Sequence, residues 1–350
     1  MERAVSIFFT IALISTVAIN CVRNPLLQIP YTPTPVTLDE LERIPRMHIP
    51  AHNPLTTEGI ALGKKLFFDP ILSFDSTFSC SSCHQPERAF ADSKAVAIGI
   101  RLRKGRRSSP SLLNIGYHYK GLFWDGRAVT LEEQSLHPIQ DSVEMGSRLE
   151  QVEKKLQQHS DYPVLFRKAF GIIHKNHITK DLIAKALAQF QRTLISKNTK
   201  FDQVQRGTAQ FTAAEQRGFA LFFDTSDTLP HSECGHCHVD PLFTTLEFHN
   251  NGIQQATNLN FSDLGRGAVT NNRFDNGKFK VPTLRNIART APYMHDGRFR
   301  TLEQVLQHYE SGGHPAENVS PNVRKLHFTE RDRADLIAFL NTLTDSLQLN

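Results

Sequence analysis

Cys80-Ser81-Ser82-Cys83-His84 recurs in the second half of the chain as Cys234-Gly235-His236-Cys237-His238. Two thiols three positions apart can each add to a vinyl group of a porphyrin, while the histidine that follows turns under the iron as its proximal ligand. Each motif therefore reads as a covalent attachment point for haem c. A CxxC can also be half of a tetrahedral zinc site or a redox dithiol. Zinc leaves the adjacent histidine unexplained twice, and one shared ion would have to join motifs in opposite halves of the chain. The expectation is two covalently attached haem c groups, held by Cys80, Cys83, Cys234 and Cys237, with His84 and His238 on the irons.

Outward from these motifs the chain repeats itself. Gly63-Lys64-Lys65-Leu66-Phe67-Phe68-Asp69 precedes the first, and Gly218-Phe219-Ala220-Leu221-Phe222-Phe223-Asp224 precedes the second at nearly the same distance. Downstream, Pro110-Ser111-Leu112-Leu113-Asn114-Ile115 answers to Pro282-Thr283-Leu284-Arg285-Asn286-Ile287. Asp125-Gly126-Arg127 with Thr130-Leu131-Glu132 answers to Asp296-Gly297-Arg298 with Thr301-Leu302-Glu303. Self-similarity at long period signals duplication. Each half reads as helix, haem motif, PxLxN segment, DGR turn and TLE helix, and residues 241–280 of the second half form an Asn-, Gly- and Thr-rich insertion expected to be loop.

Apolar residues recur at three and four over 147–159, 180–196, 212–223 and 329–347, and Thr56 or Thr57 caps a further helix that stops at Asp69-Pro70. Strand signals are weak. The fold class expected is mostly α: two tandem homologous cytochrome-c-like domains, residues 55–205 and 206–350, each enclosing one covalently bound haem.

The remaining composition fits that outline. A chain of 350 residues has room for two cores. Its formal charge of +5 is mild and its basic residues are scattered apart from residues 101–107, which gives no footprint for nucleic acid. Four of the five cysteines belong to the haem motifs, so no structural disulfide is expected. The fifth, Cys21, follows an apolar run over residues 5–19 that reads as the core of an export signal. Residues 1–21 thus form a signal or lipoprotein-type segment with Cys21 as its lipidated end. Asn20 breaks the small-residue rule, and cleavage nearby with a free thiol, or a retained anchor, is the alternative. All these readings place the mature chain outside the cytoplasm. Residues 22–54, with prolines at 25, 30, 33, 35, 45, 50 and 54, are expected to be an extended tether.

The repeat itself asks what stands over each iron. Aligning the DGR and TLE segments sets Pro138 opposite Tyr309. Proline has no donor atom, whereas a phenolate is a hard ligand for ferric iron, so the first half is expected to hold an open iron and the second a capped one. Met294 and His308 are rivals of Tyr309. Glu144, six residues after Pro138, is the candidate acid/base group for peroxide, against the plainer reading of a loop glutamate. Trp124 is the sole tryptophan and has His295 as its repeat partner. It reads as a relay between haems, or simply as a core aromatic.

These residues carry a resemblance. The paired CxxCH motifs, Phe123-Trp124-Asp125-Gly126-Arg127-Ala128, the stretch from Pro138 to Gly146, and Ala291-Pro292-Tyr293-Met294-His295-Asp296-Gly297 are similar to the bacterial di-haem cytochrome c peroxidases, a superfamily that includes the MauG-type enzymes. The resemblance covers residues 55–347. It implies a peroxidatic amino-terminal haem and an electron-accepting carboxy-terminal haem, with Glu144 as distal acid/base and Trp124 as bridge. It also implies a calcium ion between the halves, on carbonyls matching Thr290 and Pro292, although Ser109 replaces the family's asparagine. Ordinary members carry methionine where this chain has Tyr309, and MauG-type members carry tyrosine. Ordinary members also often have a distal histidine after the equivalent of Ile98-Gly99. Here Ile100-Arg101-Leu102-Arg103 follows, with no histidine before His118, so reductive activation is not expected.

The function expected first is reduction of H2O2 to water at the amino-terminal haem, with electrons from a small cytochrome, a copper protein or a quinol entering through the carboxy-terminal haem. The alternatives are a MauG-like oxidase of a protein side chain and a plain di-haem electron carrier. Family members often form homodimers, and the loop over residues 311–321 is a place where a partner would meet the chain, or simply a solvated loop.

Overall fold

A computed structural model describes residues 24–345. Cys21 and the export segment lie outside the described residues. Eleven α-helices and one two-stranded sheet are present among them.

The first half begins with α1 (Thr57–Phe68), where the Thr56 side chain accepts from Gly59 N and Asp69 closes the last turn. After the first haem motif and the DGR turn come α2 (Leu131–Gln140), α3 (Leu149–Gln158), α4 (Tyr162–Phe170) and α5 (Lys180–Arg192). The second half adds α6 (Lys200–Gln205), α7 (Ala213–Phe222), α8 (Cys234–Cys237), α9 (Gly267–Thr270), α10 (Leu302–Ser311) and α11 (Glu330–Asn341). Threonine hydroxyls cap α2, α7, α10 and α11 as well, each accepting from the amide three residues on. α4 and α6 are not anticipated from the sequence, and α11 ends at Asn341, short of the expected 347.

The duplication is visible in packing. α1 crosses α5 at Gly63, where a Cβ would stand 1.9 Å from Ala186 O; α7 crosses α11 at Gly218, where a Cβ would stand 1.9 Å from Asp335 O. Both glycines occupy the same place in the GxxLFFD segment and permit the same close crossing. Each pair anchors one apolar core. Leu62, Leu66, Phe67, Ile183 and Phe190 belong to the first. Phe201, Leu221, Phe222, Leu336 and Phe339 belong to the second, where phenylalanine rings meet edge to face around Phe339.

Residues 24–54 do not stand off as a tether. They run extended, as the prolines require, but lie on the globule: Val36 N donates to Leu55 O, Leu41 N to the Tyr117 hydroxyl, and Arg167 Nε to Ile29 O. Leu41 and Met47 join Tyr117 and Leu242 in a small cluster that spans both halves. The apolar residues between the prolines find more favourable surroundings there than in water.

The insertion is mostly irregular, as expected. It is tied at its ends by β1 (Phe248–His249) pairing antiparallel with β2 (Phe279–Lys280). The loop over 311–321 clasps it: Ser320 N donates to Asn250 O, and His314 N to Gly252 O.

Candidate active site

Both haem motifs open onto one continuous, largely apolar cavity of about 860 Å³. Cys80, Cys83 and His84 line one end; Cys234, Cys237 and His238 line the other. None of these four thiols is in a disulfide. Burial pushes the Cys80 thiol up to about 12, and the Cys83 and Cys234 thiols up to about 11.

The two histidines are held alike. His84 Nδ1 meets Phe90 O at 2.9 Å and His238 Nδ1 meets Phe243 O at 3.0 Å. A proton donated at Nδ1 leaves the lone pair on Nε2, the tautomer a metal ligand needs. Burial pulls the His84 imidazole below its ordinary value and the His238 imidazole down to about 4, so both stay neutral. The accepting carbonyls are aimed by backbone in the left-handed region, with φ of 58° at Phe90 and 54° at Phe243. Ser111 Oγ and Thr283 Oγ1 steady each turn by donating to Ala89 O and Leu242 O, each at 2.6 Å. Ser111 and Thr283 are not singled out in the sequence, although their matching places in the PxLxN repeat are a signal that would have found them. Paired thiols, neutral imidazoles fixed at Nδ1 and apolar walls fit haem c at both ends.

The space beyond the first motif is lined by Pro138, Val143 and Glu144. Burial pushes the Glu144 carboxyl up to about 7, with Asp141 adding to the rise and Arg127 opposing it. Its backbone is set by Ile100 N, which donates to Glu144 O at 2.7 Å. None of residues 100–103 lines the cavity; Leu102 is 80% exposed. Gly99 lies flat against the 143–144 backbone, where a Cβ would come within 2.2 Å of Val143 O and 2.4 Å of Glu144 O. Its φ of −100° is ordinary, so the demand is for space alone. Gly99→Ala is therefore expected to cost about 1–3 kcal/mol by overpacking and to lower peroxide turnover by shifting Glu144. Gly105→Ala, whose Cβ stays 3.4 Å from Ala97 O, is the control that should change neither. Urea titration together with peroxide-consumption assays checks both.

The opposite end brings Tyr309 and Met294 together. Asn251 Nδ2 lies 3.4 Å from the Tyr309 hydroxyl and 3.3 Å from Met294 Sδ, and both side chains line the cavity. Burial pushes the Tyr309 phenol up to about 12. His308 does not line the cavity, and its Nε2 is engaged with Asn251 O at 2.9 Å. Asn251 comes from the insertion, where no pattern in the sequence marks it.

Between the ends, the halves exchange a reciprocal pair of hydrogen bonds. Ser108 N donates to His295 O at 2.7 Å, and Lys280 N donates to Trp124 O at 2.8 Å. Ser108 and Lys280 each stand two residues before the proline of their PxLxN segment; Trp124 and His295 each stand directly before Asp-Gly-Arg. The duplication thus builds its own seam. The Trp124 indole donates to Ser108 O at 2.9 Å, so the ring is tied to the segment whose Ser108 amide holds His295 O. Arg107 closes the seam, reaching Asp125 at 2.6 Å and Asp263 of the insertion at 2.7 Å. Thr290, Pro292 and Ser109 line the same cavity.

A family model described as di-haem cytochrome c peroxidase matches residues 57–210. Over 308 residues the chain is 36% identical to the methylamine utilization protein MauG of Methylophilus methylotrophus, spanning 87% of this chain and 88% of that protein. The chain belongs to the di-haem cytochrome c peroxidase family. Within it, the chain is also 35% identical over 301 residues to the cytochrome c551 peroxidase of Nitrosomonas europaea, covering 86% and 84% of the two chains. The crystal structure of a MauG-like protein associated with microbial copper homeostasis matches this fold with a TM-score of 0.80 at 36% identity, over 89% of this chain and 96% of that one. As a member of this di-haem family the protein is a peroxidase-type oxidoreductase, and haem c is the cofactor that membership implies.

Proposed function

We propose that this di-haem peroxidase reduces H2O2 to two waters, with two protons and two electrons, at the amino-terminal end of the cavity. Haem bound at Cys80, Cys83 and His84 would supply the redox chemistry there. The chain's own contribution is a proton carrier. Glu144, ionised, takes the proton from the inner oxygen of peroxide and returns it to the departing one, which converts a poor leaving group into water. Its half-buried carboxyl on the cavity wall, raised to about 7, is the observation that carries this reading. Gly99 and Ile100 keep the carboxylate in place, and Pro138 offers no side-chain donor atom that would compete for the site.

The carboxy-terminal end, with Cys234, Cys237 and His238, serves on this reading as the entry for electrons from a small external donor, a cytochrome, a copper protein or a quinol. Trp124, fixed by Ser108 and Lys280 at the seam, lies between. The two ends are proposed as two haem domains meeting near residue 205. On this reading the mature chain works outside the cytoplasm, where haem c is attached to paired motifs of this kind.

The position of Tyr309 favours a second reading, in which the oxidising equivalents of peroxide are spent on a side chain of a protein substrate. A tyrosinate is a hard ligand that stabilises high oxidation states, and the Tyr309 hydroxyl shares the Asn251 amide with Met294 Sδ. Low-temperature EPR of the parent protein and of Tyr309→Met is expected to show a high-spin ferric signal that survives the substitution and a low-spin signal that changes with it. A low-spin signal identical in the two proteins assigns the cap to Met294 and removes the second reading. Absence of any high-spin signal removes peroxide reduction and leaves an electron carrier.

A further inference from the structure

Lys280 is only 7% exposed, and a lysine so buried is almost always paired. Among the described residues its Nζ reaches only neutral groups: Gly121 O at 2.9 Å and His118 Nδ1 at 3.3 Å. The carboxylate nearby, Asp125, is already held by Arg107 at 2.6 Å and Arg127 at 3.1 Å. Without an anion beside it, burial pulls the Lys280 ammonium down to about 7.

The histidine is in the same position. An ammonium can only donate, so His118 Nδ1 accepts from it and the ring proton sits on Nε2. That Nε2 is buried and has no partner among the described residues. A donor left so costs about 1–3 kcal/mol. Two donors thus stand together in the cavity wall, a lysine nitrogen with no anion beside it and a ring N–H with no acceptor among the described residues. The fold does not require them. In the repeat, Ser108 takes the place of Lys280, and Thr290 takes the place of His118.

We propose that Lys280 and His118 together bind a propionate carboxylate of a haem held in this cavity. The inference rests on the haem reading of the two motifs. A buried carboxylate needs a charge-assisted partner and further hydrogen bonds, and the pair offers one of each. A haem carries its carboxylates on an otherwise apolar rim, so the anion missing from this wall is one that the cofactor itself brings.

The test uses the full-length protein carrying two haems per chain, counted from the absorbance of the alkaline pyridine derivative. A parent that binds no haem defeats the reading of the motifs, and is distinguished at this step from failure of the inference. With haem counted, Lys280→Met is expected to move one propionate-bending band in the resonance Raman spectrum and to lower the midpoint potential of one haem, because reduction then occurs beside one cation fewer. His118→Leu is expected to move the same band with the lysine charge in place. Lys280→Arg should keep the potential near that of the parent. Lys120→Met, which removes a surface partner of Glu247, should change neither quantity. Should Lys280→Met fail to fold, His118→Leu decides. Bands and potentials identical to the parent in the folded variants, with both haems attached, overturn the proposal.

Discussion

Glu144→Gln is expected to reduce peroxide turnover by about 10²- to 10⁴-fold, with both haems still attached and the ferric spectrum of the resting protein retained. Glutamine keeps the size and polarity of the side chain but cannot carry a proton between the two oxygens. The pH profile separates this loss from simple disturbance of the site. With its carboxyl raised to about 7 by burial, Glu144 is largely protonated in mild acid, so kcat/KM should rise through about pH 7 as the base form appears. In the glutamine variant that limb should vanish from the residual activity. Stability has the opposite sign. The folded value lies above the ordinary 4.5, so the neutral carboxyl favours the fold below pH 4.5, and that contribution is lost as pH rises through about 7. Urea midpoints measured at pH 5 and pH 8 should differ less in Glu144→Gln than in the parent. A variant that retains full turnover and the same limb would falsify the assignment of Glu144.

The second large effect is on stability, and it lies at Arg285. This guanidinium is fully buried and grips Asp202 with two hydrogen bonds, at 2.8 and 2.7 Å, while donating also to Pro241 O and Ser196 O. It therefore ties the end of the first half, the start of the insertion and α6 into one unit. Arg285→Ala strands the Asp202 carboxylate in the interior, and breaking a buried pair on one side costs about 3–5 kcal/mol. The fall should appear in the urea transition monitored through haem absorbance near the second motif. Removing both partners, as Arg285→Met with Asp202→Leu, should recover much of the loss, since no charge is then left unpaired. An Arg285→Ala protein as stable as the parent would show that water reaches Asp202.

Arg285 also shows where reading the chain succeeds and where it stops. It sits in the PxLxN segment, which the duplication marks plainly, yet nothing local says that its side chain turns inward to meet Asp202. Helices with a threonine cap and a full apolar face, such as α1, α7 and α10, were legible because their stop and start signals lie within a few residues of each other. α4 was not. Tyr162, Phe166 and Ala169 do form one buried face, but nine residues rich in apolar side chains fit a buried strand as readily as a helix until packing decides. The proline-rich arm was legible as extended chain; its attachment to both cores was not, because the partners Tyr117, Leu242 and Arg167 are distant in sequence.

The candidate site divides in the same way. The haem motifs, Trp124 and Tyr309 stand out because the two halves of the chain can be compared position by position, and Glu144 because it follows Pro138 in a stretch similar to the di-haem peroxidases. Asn251, Arg107 and Lys280 do not: their importance lies in what faces them across the seam.

Sequence alone determined that this protein is a duplicated helical chain with two thiol-pair and histidine motifs and unlike residues at Pro138 and Tyr309, since covalent attachment and repeat register depend on spacing along the backbone. Only the tertiary structure decided that both motifs share one cavity, that Ser108 and Lys280 cross to the opposite half, and that a buried lysine stands there without an anion. Those facts depend on burial and on distances between residues far apart in the chain, which spacing along the backbone does not record.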